Sequence, residues 1–299
     1  MMSTSRMSAW LTTEQLSSMT IAKLLIYGQH CLLANSDSAK LDVELLICFI
    51  IDKPRSYLLT WPEKKLSLVQ SSSFAELLLR RINGEPIAYI INTREFWSLP
   101  LKVSPATLIP RPDTEVLVEM ILARHPNKEL SCLDLGTGTG AIALALASEN
   151  SDWKIDAIDF SDDAVQLAMN NARDLNLTQV NIFQSNWFSS LKSDVNQYEV
   201  IVSNPPYLDE NDQHLAQGDV KFEPKSALVA GDNGLADIKH IANEAPSYLK
   251  NEGYLYIEHG CEQKVSVQDI LAVSGYDKIQ SFKDYNGQDR ITCGCFVHE

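Results

Sequence analysis

The stretch Cys132-Leu133-Asp134-Leu135-Gly136-Thr137-Gly138-Thr139-Gly140-Ala141 decides how the rest of the chain is read. Its opening residues read as the end of a strand, its alternating glycines as a tight turn, and the Ala/Leu-rich pattern over 142–148 as the helix that follows. Glycine lets the backbone turn sharply and approach a ligand, while a helix start offers unpaired N–H groups and a partly positive end. A carboxylate or phosphate suits such a turn. Gly136, Gly138 and Ala141 also satisfy the dinucleotide pattern G-x-G-x-x-G/A, so the loop alone does not choose between cofactors.

Outward from this turn, short β-rich runs over 132–135, 154–158, 180–184, 199–202 and 253–258 alternate with helical patterns. That alternation predicts a parallel sheet covered by helices, an α/β fold. Runs over 279–282 and 290–297 flank Asn286-Gly287 and predict an antiparallel hairpin that finishes the sheet. Asp159 ends the second of the parallel strands, where a carboxylate can accept hydrogen bonds from ribose hydroxyls. Its competing reading is an acid at the start of a helix near Ser161.

The fourth strand, Val200-Ile201-Val202-Ser203, runs directly into Asn204-Pro205-Pro206-Tyr207. Ligands of an open parallel sheet sit beyond the carboxyl ends of its strands, so this loop is expected to face the glycine turn. Two prolines fix φ, lack N–H groups and keep their predecessors extended, which stiffens the loop and leaves its carbonyls free. Asn204 adds a side-chain acceptor and Tyr207 a flat aromatic face. Two acceptors and a ring match a planar NH₂ group, one N–H to Asn204 Oδ1 and one to the Pro205 carbonyl, with Tyr207 stacked on the plane. Amides and nucleobase amines fit, whereas hydroxyls and thiols fit worse. Resonance makes such a nitrogen a poor nucleophile. Holding both N–H bonds against acceptors aims its lone pair at an electrophile, and S-adenosylmethionine supplies one already activated. Orientation within about 3 to 3.5 Å and fixed acceptors then provide the acceleration.

Upstream, apolar residues recur at helical spacing from Thr12 to about Asn83, interrupted by Pro54 and Pro62. This predicts a small all-α domain of four or five helices over 1–87, closed by the Gly84-Glu85-Pro86 turn and serving to bind a partner. The segment 88–110 reads as a β-hairpin linker turning at Ser98-Leu99-Pro100, and the catalytic domain as 111–299, its first helix opening near Ile109-Pro110-Arg111-Pro112-Asp113-Thr114-Glu115. With 45% hydrophobic and 21% charged residues among 299, the chain can build both cores. The longest apolar run, Leu45 to Ile51, is far short of the ~18 to 20 residues of a membrane span and reads as a buried helix. Residues 1–16 lack the apolar stretch of a secretory signal, which points to the cytoplasm. The six cysteines are scattered without C-x-x-C spacing or His partners, so reduced thiols packed in the core are expected and no metal. A formal net charge of −14 repels nucleic acid and suits a basic protein partner.

These motifs together resemble the release factor glutamine methyltransferases, the HemK/PrmC family. The resemblance rests on Gly84-Glu85-Pro86-Ile87-Ala88, Arg94-Glu95-Phe96-Trp97, the 109–115 segment, the Gly136 to Gly140 loop, Asn204 to Tyr207, and Phe222-Glu223-Pro224 with Ala227-Leu228. It covers the chain from about Leu41 onward. It implies a Rossmann-like class I methyltransferase domain with a mostly parallel seven-stranded sheet. It also implies S-adenosylmethionine held by Gly136, Thr137, Gly138, Thr139, Gly140, Asp159 and Asn204, with Trp187 beside its adenine. The implied substrate is the glutamine of the Gly-Gly-Gln loop in class I peptide chain release factors, gripped by Asn204, Pro205, Pro206 and Tyr207. Asn92 departs from the family, which commonly has Gly there, but Asn tolerates positive φ. The first dozen residues look like an extension. Two rivals remain: adenine methylation in DNA, against which the excess of 39 acidic over 25 basic residues stands, and a cofactor-binding module without catalysis, against which the intact 204–207 loop stands.

Overall fold

The computed structural model describes residues 11–126, 129–192 and 198–298; residues 1–10, most of the expected extension, lie outside them. It forms two compact units, one ending at Asn92 and one beginning at Thr93.

In the first unit, helices span Thr13–Ser18, Ile21–Leu32, Ala39–Ile51, Arg55–Thr60, Leu68–Ile82 and Ile87–Ile91. Three of them start where the sequence provides a hydroxyl: Thr12, Thr20 and Ser67 accept from the backbone amides of Gln15, Lys23 and Gln70. Leu24, Val43, Leu46, Phe74 and Leu78 fill the core. Beside it Arg81 Nε donates to Asp42 at 2.7 Å, and the Ser36 and Ser38 hydroxyls complete that buried carboxylate's bonding. The apolar run over 45–51 is buried on one face only, since Phe49 is exposed. A second correction concerns residues 88–91, expected to be extended. They are helical because Pro86 supplies the N-cap backbone, and Asn92 ends the helix in the left-handed region at φ 55°, the conformation its amide side chain tolerates.

The second unit opens with the hairpin β1 (Thr93–Phe96) and β2 (Leu99–Lys102). Its turn is tighter than the sequence suggested: Phe96 pairs with Leu99, and the two residues between them, Trp97 and Ser98, both have positive φ. That is the primed two-residue turn, reached here without its usual Asn-Gly signal. The main sheet comprises β3 (Ser131–Leu135), β4 (Lys154–Asp159), β5 (Asn181–Gln184), β6 (Tyr198–Ser203), β7 (Leu249–Glu258), β8 (Tyr276–Lys283) and β9 (Asp289–Phe296). Their order is β5-β4-β3-β6-β7-β9-β8, with the first five parallel and β9 antiparallel to both neighbours. The expected mostly parallel sheet with a C-terminal hairpin is thus present, although β7 begins four residues early, before a register shift against β6.

The order reverses between β3 and β6, and this positions the site. The chain steps outward from β3 to β4 and β5, then returns to lay β6 on the other side of β3. Loops leaving β3 and β6 must diverge there, which opens a crevice at their carboxyl ends. The helix Ala141–Glu149 backs the sheet so fully that Ala141 through Ala147 are all buried, which explains why its sequence is apolar all round.

Candidate active site

Leu135 lies opposite Ser203 in the β3/β6 ladder, and the Ser203 hydroxyl donates to the Leu135 carbonyl at 2.8 Å. The glycine turn and the Asn204 loop therefore leave the sheet side by side. Between them and the ends of β4 and β5 lies a cavity of about 390 Å³. Gly136 to Thr139, Asp159, Trp187, Asn204 and Pro206 line it. Gly140 sits behind the turn as the N-cap of the following helix. Pro205 and Tyr207 do not line the cavity: Pro205 is buried, and Tyr207 lies toward Glu258 and Arg290.

The turn needs glycine for a measurable reason. Gly136 and Gly138 have φ of 73° and 57°, and a Cβ on Gly136 would stand 3.7 Å from the Trp187 ring. Beneath the turn, Asp134 is buried; its Oδ2 accepts from the Thr137 hydroxyl at 2.6 Å and from Ala143 N–H at 3.3 Å. Its Oδ1 has no hydrogen-bond partner among the described residues. Burial pushes this carboxyl up to about 7, against the pull of Thr137 and Ala143. An acceptor half-satisfied in this way favours a nearby cation or donor.

Of the two roles weighed for Asp159 from sequence, the structure shows the helix-start one. Its Oδ1 accepts from Ser161 N–H at 2.9 Å, and Ser161 caps the helix Asp162–Asp174. Its Oδ2 accepts from Gly138 N–H at 2.9 Å, tying the end of β4 to the glycine turn. The carboxylate still faces the cavity, and burial raises its pKa while these amides lower it.

Trp187 follows β5 with φ of 47°, a costly conformation for a bulky residue, on the order of 1 to 3 kcal/mol. It persists because the ring is over-determined: the indole packs against Gly136, and Asp237 and His240 lie alongside. A flat, fixed ring at the cavity wall suits a base.

On the other wall, Asn204 Nδ2 donates to the Thr114 hydroxyl at 3.4 Å. The loop over 222–224 is anchored by Glu223, whose buried carboxylate accepts from Arg111 at 2.6 Å and from Ile109 N–H at 3.1 Å. Glu223 thus ties two segments together, more than the simple turn its Pro224 suggests. Gly234, at φ 81°, is required by close approach, because a Cβ there would meet the Tyr207 carbonyl at 2.1 Å.

Sequence reading missed Asp134, Thr114, Glu258 and Asn171 as parts of this site. Asn171 is the brace behind the turn, its amide donating to the Lys102 and Thr139 carbonyls and accepting from Lys102 N–H. Asp134 carried a signal as an acid inside an apolar strand, and Thr114 lay within the 109–115 segment, while Glu258 and Asn171 act through partners remote in sequence.

The sheet order, the glycine turn with its strand-end acid, and the loop after β6 define a class I methyltransferase. A model of a methyltransferase domain matches residues 126–292, and one of the PrmC N-terminal domain matches residues 23–91. A methyltransferase from Pyrococcus furiosus has the same fold, with a TM-score of 0.52 at 18% identity over 75% of this chain and 100% of that one. The release factor glutamine methyltransferase of Vibrio cholerae is 54% identical over 89% of this chain and 93% of its own length. That of Escherichia coli is 50% identical over 87% and 93%. The chain belongs to the release factor glutamine methyltransferase family.

Proposed function

We propose that this protein transfers a methyl group from S-adenosylmethionine to the side-chain amide nitrogen of the glutamine in the Gly-Gly-Gln loop of class I peptide chain release factors, in the cytoplasm. The observation that carries this reading is the meeting of Asn204 with Asp159, Trp187 and the glycine turn around one cavity. The residues fit the cofactor: Asp159 offers carboxylate oxygens to ribose hydroxyls, Trp187 a ring to adenine, and the turn a left-handed backbone that only glycine adopts freely and that a ligand can approach closely. Behind the turn, Asp134 keeps an Oδ1 with no hydrogen-bond partner among the described residues, an open acceptor for a donor or cation.

S-adenosylmethionine supplies a methyl group already activated on a sulfonium. Asn204, at the cavity wall, accepts one N–H of the glutamine amide through Oδ1; the other is assigned to the Pro205 carbonyl, which the amide must reach past Pro206 because Pro205 does not itself line the cavity. Held so, the amide nitrogen has its lone pair directed away from both acceptors and into the cavity. Pro206 walls the approach, and Tyr207 closes the side toward Glu258. The nitrogen–carbon bond forms as the carbon–sulfur bond breaks, and the amide then gives up a proton to solvent. No strong base is needed at the attack. Orientation and fixed acceptors carry the rate.

The helical unit is assigned the task of gripping the release factor. It exposes Ile26, Leu33, Leu59, Leu68 and Val69, apolar side chains that a partner can cover. The net charge of −14 suits a basic partner and disfavours direct nucleic-acid binding. Among the described residues, no helix is long and apolar enough to cross a membrane.

The test is transfer of labelled methyl from S-adenosylmethionine to purified release factor, to its Gln→Ala variant and to duplex DNA. Label on the first alone is expected. Label on DNA supports the adenine rival instead, and cofactor binding without transfer to any acceptor supports a non-catalytic module.

A further inference from the structure

β7 ends on Glu258, only 2% exposed, one residue beyond the Ser203–Ile257 pair and so level with Asn204. Its Oε2 has no hydrogen-bond partner among the described residues. The Thr114 hydroxyl and the Asn204 amide lie near enough to this carboxyl to lower its pKa against burial, and Thr114 is itself buried. Asn204 also donates from Nδ2 to Thr114 Oγ1.

These bonds have a direction. The two ends of an asparagine amide are nearly the same shape, so packing alone does not decide which end faces the cavity. An ionised carboxylate only accepts. Thr114 accepts from Asn204 at its oxygen, and its one proton is left for the neighbouring carboxylate. The Asn204 NH₂ is thereby turned inward and Oδ1 outward.

We propose that Glu258 is a positioning residue, its carboxylate setting the donor direction through Thr114 so that Asn204 presents Oδ1 to the substrate amide. This rests on the amide-nitrogen reading of the site given above. A protonated Glu258 can donate to Thr114, whose hydroxyl is then free to donate to Asn204 Oδ1 and turn the NH₂ group into the cavity, where it opposes the substrate N–H. Burial pushes Glu258 up to about 7, opposed by Thr114 and by Arg290 of β9 and assisted by Asp113 of the preceding turn. Tyr207, facing it from the loop after β6, is pushed up to about 12 by burial and stays neutral across this range.

The wild-type kcat is therefore expected to fall as pH drops through about 7, while KM for the release factor and cofactor affinity hold. Glu258→Gln removes the charge at constant shape. It should lower kcat at pH 8 on the order of tenfold to a hundredfold, the span of one charge-assisted hydrogen bond, and abolish the acidic limb. Thr114→Val should give the same kcat loss with Glu258 intact, and both variants should bind S-adenosylmethionine as wild type by calorimetry. A Glu258→Gln protein with wild-type kcat and an unchanged acidic limb overturns the proposal. So does a loss confined to KM, to cofactor affinity or to melting temperature. Failure of the wild-type protein to methylate glutamine is a separate result, which removes the functional reading itself.

Discussion

Replacing Asp159 separates its two duties. Its oxygens accept from Gly138 N–H and Ser161 N–H, both at 2.9 Å, and these use one acceptor site on each. A carboxylate has about four such sites, so two remain for ribose hydroxyls. Each charge-assisted bond to a hydroxyl contributes roughly 1.5 to 3 kcal/mol, and water entering the space left by the side chain recovers part of it. Asp159→Ala is therefore expected to weaken S-adenosylmethionine binding at least tenfold, ~1.4 kcal/mol, and also to lower the melting temperature, since two amides lose their acceptor. Asp159→Asn keeps one oxygen for Gly138 or Ser161 but loses the charge. It should recover much of the melting temperature and little of the affinity. Calorimetric titration of the cofactor, paired with thermal melts of the free proteins, reads both effects. Unchanged affinity in both variants, with a melting temperature lowered only in the alanine protein, would show that Asp159 is a structural brace alone.

Asn204→Ala should remove most methyl transfer while cofactor affinity stays within about tenfold, with the loss in kcat; wild-type turnover at saturating cofactor refutes the assignment. Asp134 makes a pH prediction: its folded pKa of about 7 lies above the ~3.9 of an unfolded Asp, so between about pH 4 and 7 the folded state binds the extra proton. Its contribution to stability must then fall as pH rises through that window, by at most ~1.36 kcal/mol per pH unit, and Asp134→Asn should flatten the slope of urea stability against pH relative to wild type. Equal slopes contradict the buried-acid account. The net charge of −14 predicts that association with release factor weakens as salt rises, and removal of residues before Asn83 should impair transfer to the protein while sparing cofactor binding. Salt-independent association rates, or equal activity of the shortened chain, count against that view.

Much of the second unit was legible because its determinants are local. A glycine turn between a strand and an Ala/Leu helix, an acid at a strand end, and two prolines after a β-branched run each declare a backbone geometry within a few residues. Strand order is not local, and it became visible only in the sheet itself, which places the loops after β3 and β6 at one crevice. What stayed hidden depends on partners far away in sequence. The Trp97-Ser98 turn adopts positive φ at residues that do not advertise it, while Trp97 N–H donates to Glu115 and its indole to Glu149. Glu258 reads as an ordinary strand-end acid until β7 pairs with β6 and brings it beside Asn204. Asn171 reads as a polar helix residue until it is seen holding Thr139 and Lys102. The helix over 87–91 was obscured by its shortness, five residues whose apolar pattern fits a strand equally well.

The most direct test of the account is peptide mapping by mass spectrometry of a class I release factor, taken as folded protein and incubated with this enzyme and S-adenosylmethionine. The account predicts a single added methyl group on the side chain of the Gly-Gly-Gln glutamine, absent with the Asn204→Ala protein and inefficient on an isolated loop peptide. A methyl group on any other residue, or none on that glutamine, contradicts it.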